Sequence, residues 1–184
     1  MPELRTKRQT HSETRFSSPW MRLREDVFER TDGTTGTFAV VSRSDFVVIV
    51  CEIDGAVVMT EQYRYAAGRW SLELPQGGIE DGETAQEAAI RELREETGWL
   101  AAGAEVIGTR LYEAADWATQ HFTVVRVHVT GRGEKSLDHD ELGARDELVP
   151  WARLPELVAA QRVIDAATLA AVAVHLIGTE REDA

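Results

Sequence analysis

Cysteine is nearly missing: the chain holds one, Cys51, among 184 residues. A lone thiol closes no internal disulfide, so packing must hold the fold, and a cytoplasmic location is expected. Cys51 sits in an apolar run and reads as a buried core residue, with a reactive thiol as the alternative. Long apolar stretches are missing as well. None nears the roughly 20 residues of a membrane-spanning helix, and no apolar segment follows the charged N-terminal stretch as a secretory signal would require. No membrane partner is expected. Positive charge is short, with 20 Lys and Arg against 32 Asp and Glu and a net charge of −12. Proteins that grip nucleic acid neutralise phosphates with basic stripes, so a long RNA or DNA partner is not expected. Internal repeats and low-complexity segments are absent. What remains, 43% hydrophobic and 28% charged, is the composition of an ordinary globular chain, with length enough for one core.

The informative stretch is residues 77–99. A glycine pair, Gly77-Gly78, leads through Gly82-Glu83 to Thr84-Ala85-Gln86-Glu87, then to Ala88-Ala89-Ile90-Arg91-Glu92-Leu93-Arg94-Glu95-Glu96-Thr97 and Gly98-Trp99. Thr84 with Glu87 is a capping-box pair, and Gly98 suits a left-handed helix stop. The spacing predicts a helix over 84–97. At about 100° per residue, Glu92, Glu95 and Glu96 share one arc, together with Ala88 and Ala89, whose small side chains would leave room beside them. Ile90 and Leu93 are expected on an opposite, core-facing side. Crowded like charges destabilise a bare helix. Carboxylate oxygens are hard ligands that suit Mg²⁺, with Mn²⁺ as substitute, and magnesium commonly shares its shell with substrate phosphates. Arg91 reads as an organiser holding a carboxylate in its planar fork. The plainer alternative is a solvated acidic helix face.

Gly77, Glu83, Arg91, Glu92, Leu93, Glu95, Glu96 and Gly98 match the signature of the Nudix hydrolase family, G-x5-E-x7-R-E-U-x-E-E-x-G-U with U bulky and apolar. Trp99 stands at the final U, where an aliphatic residue is usual. A chance match of the single-type positions is on the order of one in a million. The resemblance implies an α/β (α+β) fold, a mixed β-sheet sandwiched between α-helices. It also implies hydrolysis of a nucleoside diphosphate linked to another moiety. Glu92, Glu95, Glu96 and the backbone carbonyl of Gln76 are implied metal ligands, and Glu83, Arg91, Glu95 and Glu96 belong to the implied catalytic set.

The segments flanking the motif narrow the resemblance. Glu61-Gln62-Tyr63-Arg64-Tyr65, Trp70-Ser71-Leu72-Glu73-Leu74-Pro75 and Val163–Ala171 resemble the ADP-ribose and nucleotide-sugar pyrophosphatase group. That group often has a leading strand pair that crosses to a second subunit, so a homodimer is expected. It usually has a proline about fifteen residues past the motif; Leu111–Trp117 has none, which leaves nucleotide sugars and other diphosphates open. Arg64 is a candidate phosphate or ribose contact. Tyr63, Trp70 and Trp117 can stack a base, or can serve core or dimer packing. His121, His128 and His175 lie in apolar contexts and read as structural. The group often draws its general base from the loop before the final helices, where Glu141 is the choice and Asp138, Asp140 and Glu147 are rivals. Glu95 or Glu96 is the alternative base. Pro75-Gln76-Gly77-Gly78 also resembles dinucleoside polyphosphate and RNA 5′-end hydrolases. A non-catalytic sensing module is the reading from another class, disfavoured because every motif carboxylate is present.

Along the chain, the pattern predicts a mobile tail over 1–19, a strand pair over 20–45, the hydrolase domain over 46–178 and a short tail over 179–184. Strands are expected at Met21–Arg30, Thr37–Arg43, Phe46–Ile53, Val57–Tyr63, Arg69–Glu73, Glu105–Tyr112, Thr123–Val129 and Leu148–Trp151. A long acidic loop is expected over 131–147, and helices at Leu154–Ala160 and Asp165–Ile177.

Overall fold

The structure, a computed structural model, describes residues 7–136 and 144–182, with side chains to residue 178. It contains two compact units, Met1–Asp45 with Tyr112–His121, and Phe46–Leu111 with Phe122–Ala184.

The first unit is a three-stranded antiparallel sheet of β1 (Lys7–Ser17), β2 (Arg22–Arg30) and β3 (Thr35–Ser42), in that order. The tail expected over 1–19 is corrected here, because Lys7–Ser17 is a strand. Every one of its eleven residues is exposed, so no apolar alternation betrays it. Its backbone ladder to β2 is reinforced by Arg8–Glu29, by Arg15–Glu25 at 2.8 Å and by Ser12–Asp26 at 2.6 Å. Burial would raise the Asp26 pKa, but the hydrogen bonds from Ser12 and Arg24 outweigh it and hold the group below its ordinary value. Residues 112–121 close on β3, with Val41 donating to Trp117 and accepting from Thr119, both at 2.9 Å.

The second unit is the sandwich. One mixed sheet runs in the order β8 (Gln76–Gly78), β4 (Phe46–Val50), β10 (Phe122–Arg132), β9 (Trp99–Leu111), with β4 and β10 parallel. A second, antiparallel sheet pairs β6 (Ala56–Arg64) with β5 (Glu52–Ile53), β7 (Arg69–Glu73) and β11 (Arg145–Pro150). Because strand side chains alternate, β4 feeds two cores. Val48 and Val50 join Met59, Leu72, Phe122 and Val124 under α2 (Leu154–Ala159) and α3 (Ala166–Glu182). Val47, Ile49 and Cys51 join Val125 and Val127 under α1 (Ala85–Thr97).

Several bounds differ from the sequence reading. The Phe46–Ile53 run is two strands; β9 begins at Trp99; β8 forms inside the expected 75–82 loop; and α3 continues to Glu182 where a tail was expected. The buried His175 pins α3: its ring stacks on Trp151 at 4.9 Å, and the exposed Glu52 carboxylate accepts from the Trp151 indole at 3.0 Å. That fits the structural role read for His175. Among the described residues, no helix is long and apolar enough to cross a membrane.

Candidate active site

Local chemistry sets where α1 begins and ends. Thr84 takes an extended conformation and accepts from the Glu87 amide, while Glu87 accepts from the Thr84 amide at 2.9 Å, so the capping box is complete. Gly98, at φ +77°, ends the helix and donates to Arg94 O at 2.8 Å. The helix packs through Ala88, Ala89 and Leu93, all fully buried, whereas Ile90 is 38% exposed. This corrects two expectations. The alanines fill core rather than leaving room by the carboxylates, and Ile90 is not on the core face. At about 100° per residue the buried arc overlaps the acidic one, with Glu96 between Ala89 and Glu92, which is why Glu96 is only 3% exposed.

Arg91 is the hub of the site. Its Nε donates to Glu83 at 3.0 Å and its Nη2 to Glu83 and to Gly78 O, each at 2.9 Å. Its Nη1 reaches Glu92 at 2.7 Å and Glu95 at 3.2 Å. The Arg91 pKa is raised, chiefly by the Glu83 hydrogen bond, and the same bond holds the Glu83 carboxyl below its ordinary value. The loop main chain lies against this cluster so closely that a Cβ on Gly77 would collide with the Glu92 carboxylate.

Among the described residues, no three acidic, His or Cys side chains stand in a metal-holding arrangement. The trio expected to converge is instead divided: Glu92 and Glu95 turn to the Arg91 guanidinium, and Glu96 follows the core face. The residues nonetheless fit a hard divalent cation. The donor set is all oxygen. The Gly77 backbone forms a close cradle beside Glu92. Beside it, the Gln76 side-chain Oε1 is buried without a hydrogen-bond partner. Cation binding would require Glu92 and Glu95 to exchange Arg91 for metal, while Arg91 keeps Glu83 and Gly78 O.

A second polar group adjoins the first, and the sequence reading gave part of it no role. Arg64 donates through Nε to both Glu73 oxygens at 3.0 Å, and through Nη2 to Oε2. Gln76 Nε2 donates to the same Oε2 at 2.7 Å. The Arg64 pKa is raised, first by the Glu73 hydrogen bond, with the charges of Asp165 and Glu96 adding to it. Glu73 was legible as an acid set between Leu72 and Leu74, both of which are fully buried.

Tyr63 and Trp70 face each other across the β6–β7 hairpin, edge to face at 5.8 Å, each about half exposed. Trp117 belongs to the other unit. There it lines a cavity of about 390 Å³ with Met21, Val41, Arg43, Glu113 and Gln120. Glu141, Asp138 and Asp140 lie outside the described residues; Glu147 is exposed on β11. His121 pairs with Asp45 at 3.2 Å, and His128 is exposed on β10.

Comparison with known proteins bears on this geometry. Residues 41–171 match the NUDIX domain model, and residues 8–41 match the nucleoside diphosphate sugar hydrolase N-terminal domain. The Bacillus subtilis (strain 168) protein named ADP-ribose pyrophosphatase is 30% identical over 151 residues, 80% of each chain. The mouse protein named ADP-sugar pyrophosphatase is 31% identical over 108 residues, 52% of this chain and 50% of that one. Other curated relatives are likewise matched over about half their length. The crystal structure of an ADP compounds hydrolase superposes with a TM-score of 0.86 at 21% identity, over 99% of this chain and 98% of that one. At that identity the likeness speaks for the fold.

Proposed function

This chain belongs to the Nudix family, and we propose that it is a divalent-metal-dependent hydrolase of a nucleoside diphosphate derivative, ADP-ribose or a nucleotide sugar. The products are a nucleoside monophosphate and a sugar phosphate. The observation that carries this reading is the approach of the Gly77 main chain to the Glu92 carboxylate, with Arg91 tying helix and loop together. It builds one acidic, oxygen-lined site from the whole 77–98 motif.

Glu92, Glu95, Glu96 and the Gln76 carbonyl would hold Mg²⁺, or Mn²⁺ in its place. When bound, the metal would lower the pKa of a water and neutralise charge on the departing phosphoryl oxygens. The chain's own residues do the rest. Arg91 fixes the register of helix and loop through Glu83 and Gly78 O. Arg64 offers its guanidinium to phosphate oxygens, whose geometry the fork matches. Tyr63 and Trp70 offer a half-exposed aromatic surface for a base, and Trp117 lines an apolar cavity in the first unit. The water's proton goes to Glu141, with Glu95 or Glu96 as the alternative acceptor. The resemblance to the ADP-ribose and nucleotide-sugar pyrophosphatase group favours a homodimer in which the strand pair of residues 20–45 crosses to the partner. Relatives named RNA pyrophosphohydrolase are 43–45% identical but over only 28–35% of this chain, whereas the protein named ADP-ribose pyrophosphatase matches over 80% of it, and this favours the nucleoside diphosphate class over the dinucleoside polyphosphate and RNA 5′-end readings.

The test is a Mg²⁺-supplemented screen of ADP-ribose, GDP-mannose, diadenosine tetraphosphate and triphosphorylated RNA, with products identified by mass. Glu96→Gln should lose turnover by orders of magnitude and still fold. Near-normal turnover in that variant would remove the metal role of the acidic face.

A further inference from the structure

Glu73 is only 1% exposed, yet the reaction as read above gives it no part. A buried carboxylate is costly unless it is paired and hydrogen-bonded. Every side-chain donor the structure gives it comes from Arg64 or Gln76, the residues read as substrate contact and metal-loop ligand. The β6–β7 register makes this possible. Thr60 pairs with Glu73, and Arg64 lies four residues beyond Thr60, so Arg64 and Glu73 project from one face of the hairpin.

The contact is one-sided. Glu73 takes the Nε edge of the guanidinium and one Nη2 hydrogen. The Arg64 side chain remains 41% exposed, and among the described residues no other side chain hydrogen-bonds its remaining donors. An unanchored arginine would have to be ordered when a ligand binds, at about 0.5–1.5 kcal/mol of side-chain entropy. With one edge fixed, the free donors already point in a set direction and can take two oxygens of one phosphoryl group together. Gln76 adds a fourth hydrogen bond, which keeps the carboxylate itself from turning.

We propose that Glu73 is a positioning residue, whose carboxylate sets the Arg64 guanidinium as a fixed fork for the diphosphate oxygens of the substrate. The inference rests on the diphosphate substrate class proposed above.

The test is a double-substitution cycle read in two ways. Calorimetry measures ADP binding in EDTA, without metal, and steady-state kinetics separates KM from kcat on the best substrate of the screen. Glu73→Gln should weaken ADP binding and raise KM up to about tenfold, with kcat changed by less than about threefold, the cost of ordering a guanidinium that is no longer anchored. Arg64→Ala removes the bonds to the phosphoryl oxygens themselves and should weaken ADP binding at least as much, and the double variant should bind ADP no more weakly than Arg64→Ala alone. Because Arg64 can turn to water, Glu73→Gln should fold. Should it not, Glu73→Asp keeps the buried charge but withdraws it by one methylene, and should show the same shift in KM. A folded variant at either position with wild-type ADP affinity overturns the inference, as do losses that multiply in the double variant. Arg64-dependent ADP binding without Glu73 coupling sinks this inference and leaves the proposed function standing. Coupling without hydrolysis of any diphosphate does the reverse.

Discussion

Gly77→Ala separates folding from catalysis at the point where loop and helix meet. The added methyl would land on the Glu92 carboxylate, which is the free end of a side chain and can swing aside. Gly77 has no positive φ, so alanine adds no backbone strain there. It also trims unfolded-chain entropy, stabilising by about 0.4–1 kcal/mol. Against this stands the 2.7 Å bond from Arg91 to Glu92, worth about 1.5–3 kcal/mol at most because it joins charged groups. Arg91 keeps Glu83, Glu95 and Gly78 O, so net destabilisation should be about 1–2 kcal/mol. For a chain of this length that lowers Tm by roughly 2–8 °C. Turnover should suffer far more, since displacing a ligand by about an ångström costs around a hundredfold. The assay is thermal unfolding beside a Mg²⁺ titration of the hydrolysis rate. At Gly78 an added Cβ meets nothing within 4 Å, so Gly78→Ala should be much milder. Wild-type turnover and metal dependence in Gly77→Ala would refute the reasoning, as would equal damage at Gly78.

Glu83 has its pKa lowered by the Arg91 hydrogen bond against a smaller opposing effect of burial. A depressed carboxylate stabilises the fold above its unfolded value and loses that contribution as pH falls through its folded one. The Tm difference between wild type and Glu83→Gln should therefore be full at pH 7 and shrink below about pH 4.5; a difference constant down to pH 3 would contradict it. Cys51 is fully buried, and burial alone pushes its thiol up to about 11. At pH 8 only about one molecule in a thousand carries thiolate, so a disulfide reagent should label the native protein only after unfolding. Stoichiometric labelling within minutes would contradict that burial.

The elements that bury apolar side chains were readable because periodicity reports burial. The Arg69–Glu73 strand came out residue for residue, and α1 came out to one residue at its start, because Thr84, Glu87 and Gly98 mark its ends chemically. β1 was hidden because nothing on it is buried; its pairing rests on backbone and cross-strand ion pairs that sequence periodicity does not register. The site was legible as a list of residues but not as a geometry. Spacing placed Glu92, Glu95 and Glu96 together, yet could not tell that Arg91 would claim two of them or that Glu96 would share the core arc. Nor could spacing pair Arg64 with Glu73, nine residues apart, without knowing the hairpin register.

The central strand β4 acts as a partition between two separately packed compartments. Trimming Leu157 or Ala171 loosens only the layer behind it, while the acid-bearing helix draws on Val47, Ile49 and Cys51 in front. Lesions in opposite compartments should therefore add independently. A one-residue insertion within the strand is different in kind: it would turn both sets of side chains to the wrong side at once, leaving neither compartment intact.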